Sequence, residues 1–136
     1  MLSFLILMPL LGAFCIFFIN NKNINLIRNF SFFWSLLIFN ISVYLVFIFD
    51  TTSSNFQFIE EIHWISITNN NIVLGIDGLG LFMVLLTTFL IPVCLILSFS
   101  LSNLAQIKEY NIAFLVLESI LLGVFSTLDV LLFYLL

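Results

Sequence analysis

Two acidic residues in the last third of the chain are the side chains best suited to chemistry. Glu118 interrupts an otherwise uncharged apolar run, and Asp129 stands where that run gives way to a second one. An acid inside a membrane helix is energetically costly and often belongs to an ion or proton path. Glu118 and Asp129 are therefore the candidate proton-path residues. The alternatives are a buried carboxyl that serves only helix packing, for Glu118, and a helix cap, for Asp129.

The other polar motifs predict structure rather than catalysis. Asp77 precedes a long apolar run and is expected to cap a helix there, with Gly78 permitting a tight entry turn. The surrounding Gly75-Ile-Asp-Gly-Leu-Gly80 does not have the spacing of a dinucleotide-binding loop. Pro92 lies in the middle of the same apolar run and predicts a kink. His63 has no second histidine or cysteine nearby and is interpreted as interfacial rather than as a metal ligand. The sequence predicts no catalytic residue, metal site or cofactor site in this chain.

The composition is that of an integral membrane protein. Hydrophobic residues make up 63% of the 136 and charged residues only 7%, which leaves too little polar surface for a soluble domain of this length. The net charge of -4 at pH 7 argues against nucleic acid as a partner, because nucleic-acid binding needs a basic face. Lipids are the expected surroundings. Cys15 and Cys94 both lie in apolar runs and are interpreted as buried small residues.

Four apolar runs are long enough to span a bilayer as helices. They cover residues 2–19, 30–49, 79–101 and 112–128, approximately. A shorter run, 129–136, rises only ~12 Å as a helix, against a hydrocarbon core of about 30 Å. The predicted fold class is therefore an all-α membrane protein of about four transmembrane helices plus the first half of a fifth. A half-helix inside the membrane leaves its last carbonyls unpaired, so another chain is expected to complete it.

One alternative boundary stays open from the residues alone. Glu118, instead of Asp129, can mark the end of the fourth span, which gives one long final helix from Ser119 to Leu136. Only in that version does Asp129 lie buried within a span. Both versions are continuous apolar runs, so the periodicity of the sequence does not separate them.

The basic residues can all be placed on one side of the membrane. Lys22 and Arg28 lie between the first two predicted spans, and Lys108 lies between the third and the fourth. Positively charged loops face the cytoplasm or matrix, so the amino terminus and the linker 50–77 are expected in the opposite compartment. Two short apolar segments within that linker are compatible with a pair of strands or with an interfacial helix, and the pattern does not decide between them.

Six motifs in the second half of the chain come in the order and spacing of one known family. They are Leu74-Gly-Ile-Asp-Gly78, Thr87-Thr-Phe-Leu-Ile-Pro92, Lys108-Glu-Tyr110, Phe114-Leu-Val-Leu-Glu118, Val124-Phe-Ser126 and Leu128-Asp-Val-Leu-Leu-Phe-Tyr134. The chain thereby resembles subunit 4 of the proton-pumping NADH:ubiquinone oxidoreductase, respiratory complex I. Its amino-terminal half is similar to that family more loosely, through Pro9-Leu-Leu-Gly12 and Glu61-Ile-His-Trp64.

The resemblance implies an antiporter-like subunit of the membrane arm, multi-pass in the mitochondrial inner membrane, with its amino terminus in the intermembrane space. It also implies other membrane-arm subunits as partners, and flavin, iron–sulfur clusters and ubiquinone elsewhere in the complex. A helix break before Asp129 fits the family better than one long final helix. In the family, the segment that matches Asp129–Tyr134 continues to a glutamate in the fifth span. Because the sequence ends before that glutamate, two explanations stay open, a split subunit or a piece of one longer polypeptide. The favoured expectation is a split subunit whose second chain begins near that glutamate.

Two functions of other classes stay open beside this one. A subunit of a multisubunit cation/proton antiporter shares the antiporter-like design, and association with flavin and iron–sulfur subunits distinguishes complex I from it. A small structural membrane protein needs no transport role, and a complete final helix would favour that function.

Overall fold

The computed structural model describes residues 1–65, 70–100, 103–128 and 130–136, which form five α-helices and one β-hairpin. The helices are α1 (Leu2–Phe18), α2 (Ile24–Ile48), α3 (Gly78–Ile96), α4 (Leu104–Ser126) and α5 (Val130–Leu135). The hairpin consists of β1 (Gln57–Ile65) and β2 (Asn70–Ile76), and a 3-10 turn over Leu97–Ser100 extends α3.

The helices are those of a membrane protein. Three apolar stretches are long enough to cross a bilayer, namely Ile24–Ile48, Gly78–Ser100 and Gln106–Ser126. The apolar helix α1 is shorter, with 17 residues, and rises about 25 Å. Large side chains such as Phe14 and Phe47 are 62% and 83% exposed on the outside of the bundle, which suits contact with lipid. The predicted all-α membrane fold is confirmed, with the small hairpin as an addition to it.

Two helices begin earlier than the predicted spans. The helix α2 already includes Arg28, and α4 already includes Lys108, although the sequence placed both residues in loops. The reason is burial, since Ile27 and Ile107 are each only 1% exposed. Both connections thus contribute apolar side chains to the core, and continuing the helix also satisfies their backbone polar groups. The polar character of these segments was therefore a poor guide to the helix boundaries.

The end of α4 settles the boundary that the sequence left open. α4 passes through Glu118 without interruption. Thr127 is then extended and pairs with Leu74 of β2, and the N–H of Leu128 donates to the carbonyl of Val73 at 2.9 Å. The single long final helix is therefore wrong, because the backbone leaves the helix to join the edge of the hairpin.

The linker between α2 and α3 forms the strand pair rather than an interfacial helix. β1 and β2 are antiparallel, with His63 opposite Asn71, and Nδ1 of His63 lies 2.7 Å from Oδ1 of Asn71. Glu60 accepts hydrogen bonds from the backbone N–H of Ser3 and from the amino-terminal nitrogen. Desolvation raises the pKa of Glu60, but these hydrogen bonds outweigh it and lower the pKa to about 2. The hairpin is thus tied to the start of α1.

The first four helices and β2 surround one main apolar core. Its buried members are Leu2, Leu5, Ile38, Leu45, Leu74, Ile76, Leu81, Val84 and Leu122. A second buried cluster consists of Ala13, Ile16, Ile27 and Leu115. Because lipid is as apolar as these side chains, close packing and interhelical hydrogen bonds, rather than exclusion from water, hold such a bundle together.

Candidate functional site

The inward face of α4 carries the candidate site. Asn111, Leu115, Glu118 and Leu122 are spaced by four, three and four residues, which places them on one face of the helix. Each is at most 1% exposed. Leu115 belongs to the cluster formed with α1 and α2, and Leu122 belongs to the main core. Two polar side chains therefore alternate with two apolar layers along the centre of the bundle.

The carboxyl of Glu118 is buried and has no hydrogen-bond partner among the described residues. Its side chain is 0% exposed, and within the described ranges neither Oε1 nor Oε2 has a hydrogen-bond partner. Burying such a group is costly unless something satisfies it. A carboxyl in this position needs a proton, a water molecule or a charge from another segment to satisfy it.

Asn111 is a second buried polar residue on this face of α4, and the sequence did not identify it as a candidate. It is 0% exposed, and among the described residues neither Nδ2 nor Oδ1 has a hydrogen-bond partner. A side-chain amide carries two donors and an acceptor with two lone pairs, and buried amides are normally satisfied. The available signal was its spacing from Glu118, because seven residues correspond to two turns and to the same helix face.

Side chains from α4 and α2 hold α1 against this site. The hydroxyl of Ser119, adjacent to Glu118, donates to the carbonyl of Ile6 at 2.7 Å. The indole N–H of Trp34 donates to the carbonyl of Met8 at 2.8 Å. Both acceptors lie within one turn of Pro9, whose missing N–H weakens the helix there. Because Ser119 is adjacent to Glu118, this bond holds the part of α4 that carries Glu118 against α1.

A second polar contact joins α2 to α3. The hydroxyl oxygens of Ser42 and Thr88 lie 2.7 Å apart in the buried interior. Thr88 also lies 3.1 Å from the carbonyl of Val84, and Thr87 donates to the carbonyl four residues before it at 2.9 Å. This is the backbone bonding expected for a threonine pair one turn before Pro92. The kink at Pro92 stays a prediction.

The glycine-rich entry to α3 is organised by a cap. Oδ1 of Asp77 accepts a hydrogen bond from the N–H of Gly80 at 2.7 Å, so the predicted helix cap is present. At Gly78, which the sequence predicts to permit a tight entry turn, φ is not positive and a Cβ would meet nothing within 4 Å. Gly80 is the closely packed position instead, because a Cβ there would lie 3.3 Å from the backbone oxygen of Phe125.

Asp129 and the two cysteines are the remaining sequence-based candidates. Asp129 lies outside the described residues. The interpretation of Cys15 as buried is wrong, because it lies with Phe14 and Phe18 on the outer face of α1, and Cys94 is half-buried. In the part of the chain that the structure describes, no group of three or more His, Cys, Asp or Glu side chains could hold a metal ion.

Comparison with known proteins gives a consistent picture over nearly the whole chain. No protein-family model matches it. The NADH-ubiquinone oxidoreductase chain 4 of Arabidopsis thaliana is 47% identical over 133 residues, which cover 98% of this chain and 27% of that protein. The protein of the same name from Marchantia polymorpha is 45% identical, with the same coverage of both chains.

A bacterial protein shows the same relationship at greater distance. The NADH-quinone oxidoreductase subunit M of Rickettsia prowazekii is 34% identical over 138 residues, which cover 98% of this chain and 28% of that protein. The chain therefore spans only about a quarter of the length of the curated relatives it matches.

Proposed function

We propose that this chain forms part of a membrane-arm subunit of proton-pumping NADH:ubiquinone oxidoreductase. It is homologous to the NADH-ubiquinone oxidoreductase chain 4 proteins along 98% of its own length, and the proposal assigns it the corresponding part of that subunit. The names of the relatives and the apolar helices of this chain support the proposal. In it, flavin, iron–sulfur clusters and ubiquinone are held by other subunits, and this chain serves proton translocation through the membrane.

The observation that carries the proton role is the state of Glu118. Its carboxyl is 0% exposed, lies within the membrane-spanning stretch Gln106–Ser126, and has no partner among the described residues. Positions of this kind are expensive in a membrane and mark ion or proton pathways. We assign Glu118 the role of a proton-exchanging group and the surrounding helices that of a scaffold. The further role of Asp129 in such a path is a sequence-based proposal only.

The proposed location is the mitochondrial inner membrane, with the basic end of the bundle toward the matrix. Lys22 lies in the connection between α1 and α2, and Nζ of Lys108 lies 2.9 Å from the carbonyl of Ile19 in the same connection. Basic residues prefer the matrix or cytoplasmic side. The amino terminus and the hairpin then face the intermembrane space, and the outer surface contacts lipid and other membrane-arm subunits.

The remainder of such a subunit is the first partner in this proposal. It is supplied either by continuation of the same polypeptide or by a second chain, and the mass of the mature protein distinguishes these sources. The complex is isolated by native gel and its subunits are weighed by mass spectrometry. A subunit of about 15.6 kDa with this sequence, found beside a separate chain that carries the remaining helices, supports the split form. One longer polypeptide that contains this sequence supports continuation.

The experiment that tests the proton role is the substitution Glu118→Gln in the assembled complex. Proton pumping into sealed vesicles is expected to slow by about tenfold or more, the scale of losing a positioned proton-transfer group, while the complex stays assembled on native gels. Glu109→Gln is the matched control, because Glu109 is exposed on the same helix. Pumping and quinone reduction at the unsubstituted rates would reduce Glu118 to a packing residue.

A further inference from the structure

Asn111 and Glu118 are too far apart along α4 to form a hydrogen bond with each other. Seven residues of α-helix correspond to a rise of about 10.5 Å. A hydrogen bond joins atoms about 3 Å apart. Because the two side chains share one face of α4 and both are fully buried, any exchange between them needs intermediate groups. Among the described residues, none is hydrogen-bonded to either side chain.

The nearer of the two residues to the aqueous boundary is Asn111. It lies one turn after Lys108, a half-buried residue that reaches the carbonyls of Phe17 and Ile19 at the end of α1. Glu118 lies two turns deeper in the bundle. An amide is well suited to an intermediate position, because it donates and accepts hydrogen bonds at the same time and thereby orders water on both sides.

Leu115 occupies the face of α4 between these two polar residues. It is 0% exposed and belongs to the buried cluster of Ala13, Ile16 and Ile27. An apolar layer of this kind interrupts a chain of water molecules when it is dry, and it admits them when neighbouring side chains move apart. The order along the helix is thus a polar group, an apolar layer and then the carboxyl.

We propose that Asn111 binds water molecules through which the Glu118 carboxyl exchanges its proton with the aqueous side at the basic end of the bundle, where Lys22 and Lys108 lie. Leu115 closes this route when its apolar layer is dry. The proposal rests on the proton-exchanging role of Glu118 proposed above. In each exchange, one proton passes from the nearest water to the carboxylate while each preceding water passes on one of its own. The net result is one proton added to the carboxylate, and every water molecule in the route keeps its composition. Asn111 acts as a positioning residue through this water.

The test follows hydrogen–deuterium exchange of the Glu118 carboxyl by infrared difference spectroscopy of the purified complex, with Glu118→Gln identifying the band. Asn111→Leu keeps the approximate shape and removes the amide, and it is expected to slow the exchange by about tenfold, the scale of one lost buried hydrogen-bonding group. Asn40→Leu is the control, because Asn40 is exposed on α2. Exchange at the unsubstituted rate in Asn111→Leu overturns the proposal, as does a wild-type complex without a carboxyl band.

A second variant keeps the test decisive if Asn111→Leu fails to assemble. Leu115→Ser lets water into the apolar layer and is expected to speed the exchange, whereas an unchanged rate contradicts the gating role of Leu115. The two proposals fail separately. Full proton pumping by Glu118→Gln together with slowed exchange in Asn111→Leu would overturn the proposed role of Glu118 in pumping and keep the water route to its carboxyl. Impaired pumping by Glu118→Gln with unchanged exchange in Asn111→Leu would do the reverse.

Discussion

The side-chain nitrogen of Lys108 lies 2.9 Å from the carbonyl oxygen of Ile19 and 2.9 Å from that of Phe17. The last carbonyls of a helix have no N–H partner within it, so a lysine of α4 satisfies the end of α1. The ammonium also lies 5.6 Å from the centre of the Phe17 ring, within the range of a cation–π contact. Lys108 thereby joins the first helix to the fourth one turn before Asn111.

Replacing Lys108 by methionine keeps the length of the side chain and removes this connection. Because two carbonyls lose a charged donor, we expect Lys108→Met to destabilise the bundle by about 1–3 kcal/mol. The midpoint of thermal inactivation of the assembled complex, compared with the unsubstituted complex, measures the loss. Lys22→Met is the control, because Lys22 is exposed in the connection after α1. Equal midpoints for the two variants would show that the capping contact contributes nothing to stability.

Gly12 is required by the position of Trp34. A Cβ at Gly12 would lie 2.4 Å from Cδ1 and from Nε1 of the indole ring. The ring cannot easily move away, because its N–H donates to the carbonyl of Met8 at 2.8 Å and its face stacks on Phe30 with ring centres 5.5 Å apart. We therefore expect Gly12→Ala to cost about 1–3 kcal/mol through overpacking.

The control for Gly12→Ala is the same substitution at Gly78, where a Cβ would meet nothing within 4 Å. Amounts of assembled complex on native gels, together with its thermal inactivation, measure both variants. Gly12→Ala is expected to reduce both quantities, and Gly78→Ala is expected to change neither. If Trp34→Phe restores the assembly of Gly12→Ala only partly, the lost hydrogen bond to Met8 accounts for the remainder. A Gly12→Ala complex as stable as the Gly78→Ala complex would contradict the packing argument.

Features that depend on a few neighbouring residues were predictable from the sequence. The long apolar runs define the membrane helices because length and composition alone decide whether a helix can cross a bilayer. The Asp77 cap was predictable for a similar reason, since the acceptor and the N–H it binds are three residues apart. Glu118 was identified because a charged residue in an apolar run is conspicuous wherever its partners lie.

Features that depend on packing between distant segments were not predictable in the same way. Asn111 is an ordinary polar residue in the sequence, and only the contact of α4 with the other helices buries it. Lys108 appeared to belong to a loop because a charge is usual there, whereas its acceptors lie on α1. The hairpin is likewise held by long-range contacts, such as the bond from Leu128 to Val73. Local patterns carry no information about such partners.

The contact between Ser42 and Thr88 provides the strictest test of the packing of α2 against α3. Their hydroxyl oxygens lie 2.7 Å apart in the interior, and such bonds between membrane helices are worth about 0.6 kcal/mol on average. The variants Ser42→Ala, Thr88→Val and their combination form a double-mutant cycle, measured by thermal inactivation of the complex. A coupling energy of about that size is expected. Replacing Ser126, whose hydroxyl bonds within α4 at 2.6 Å, should show no coupling to Ser42. Equal coupling in both cycles would mean that the contact between the hydroxyls does not hold the helices together.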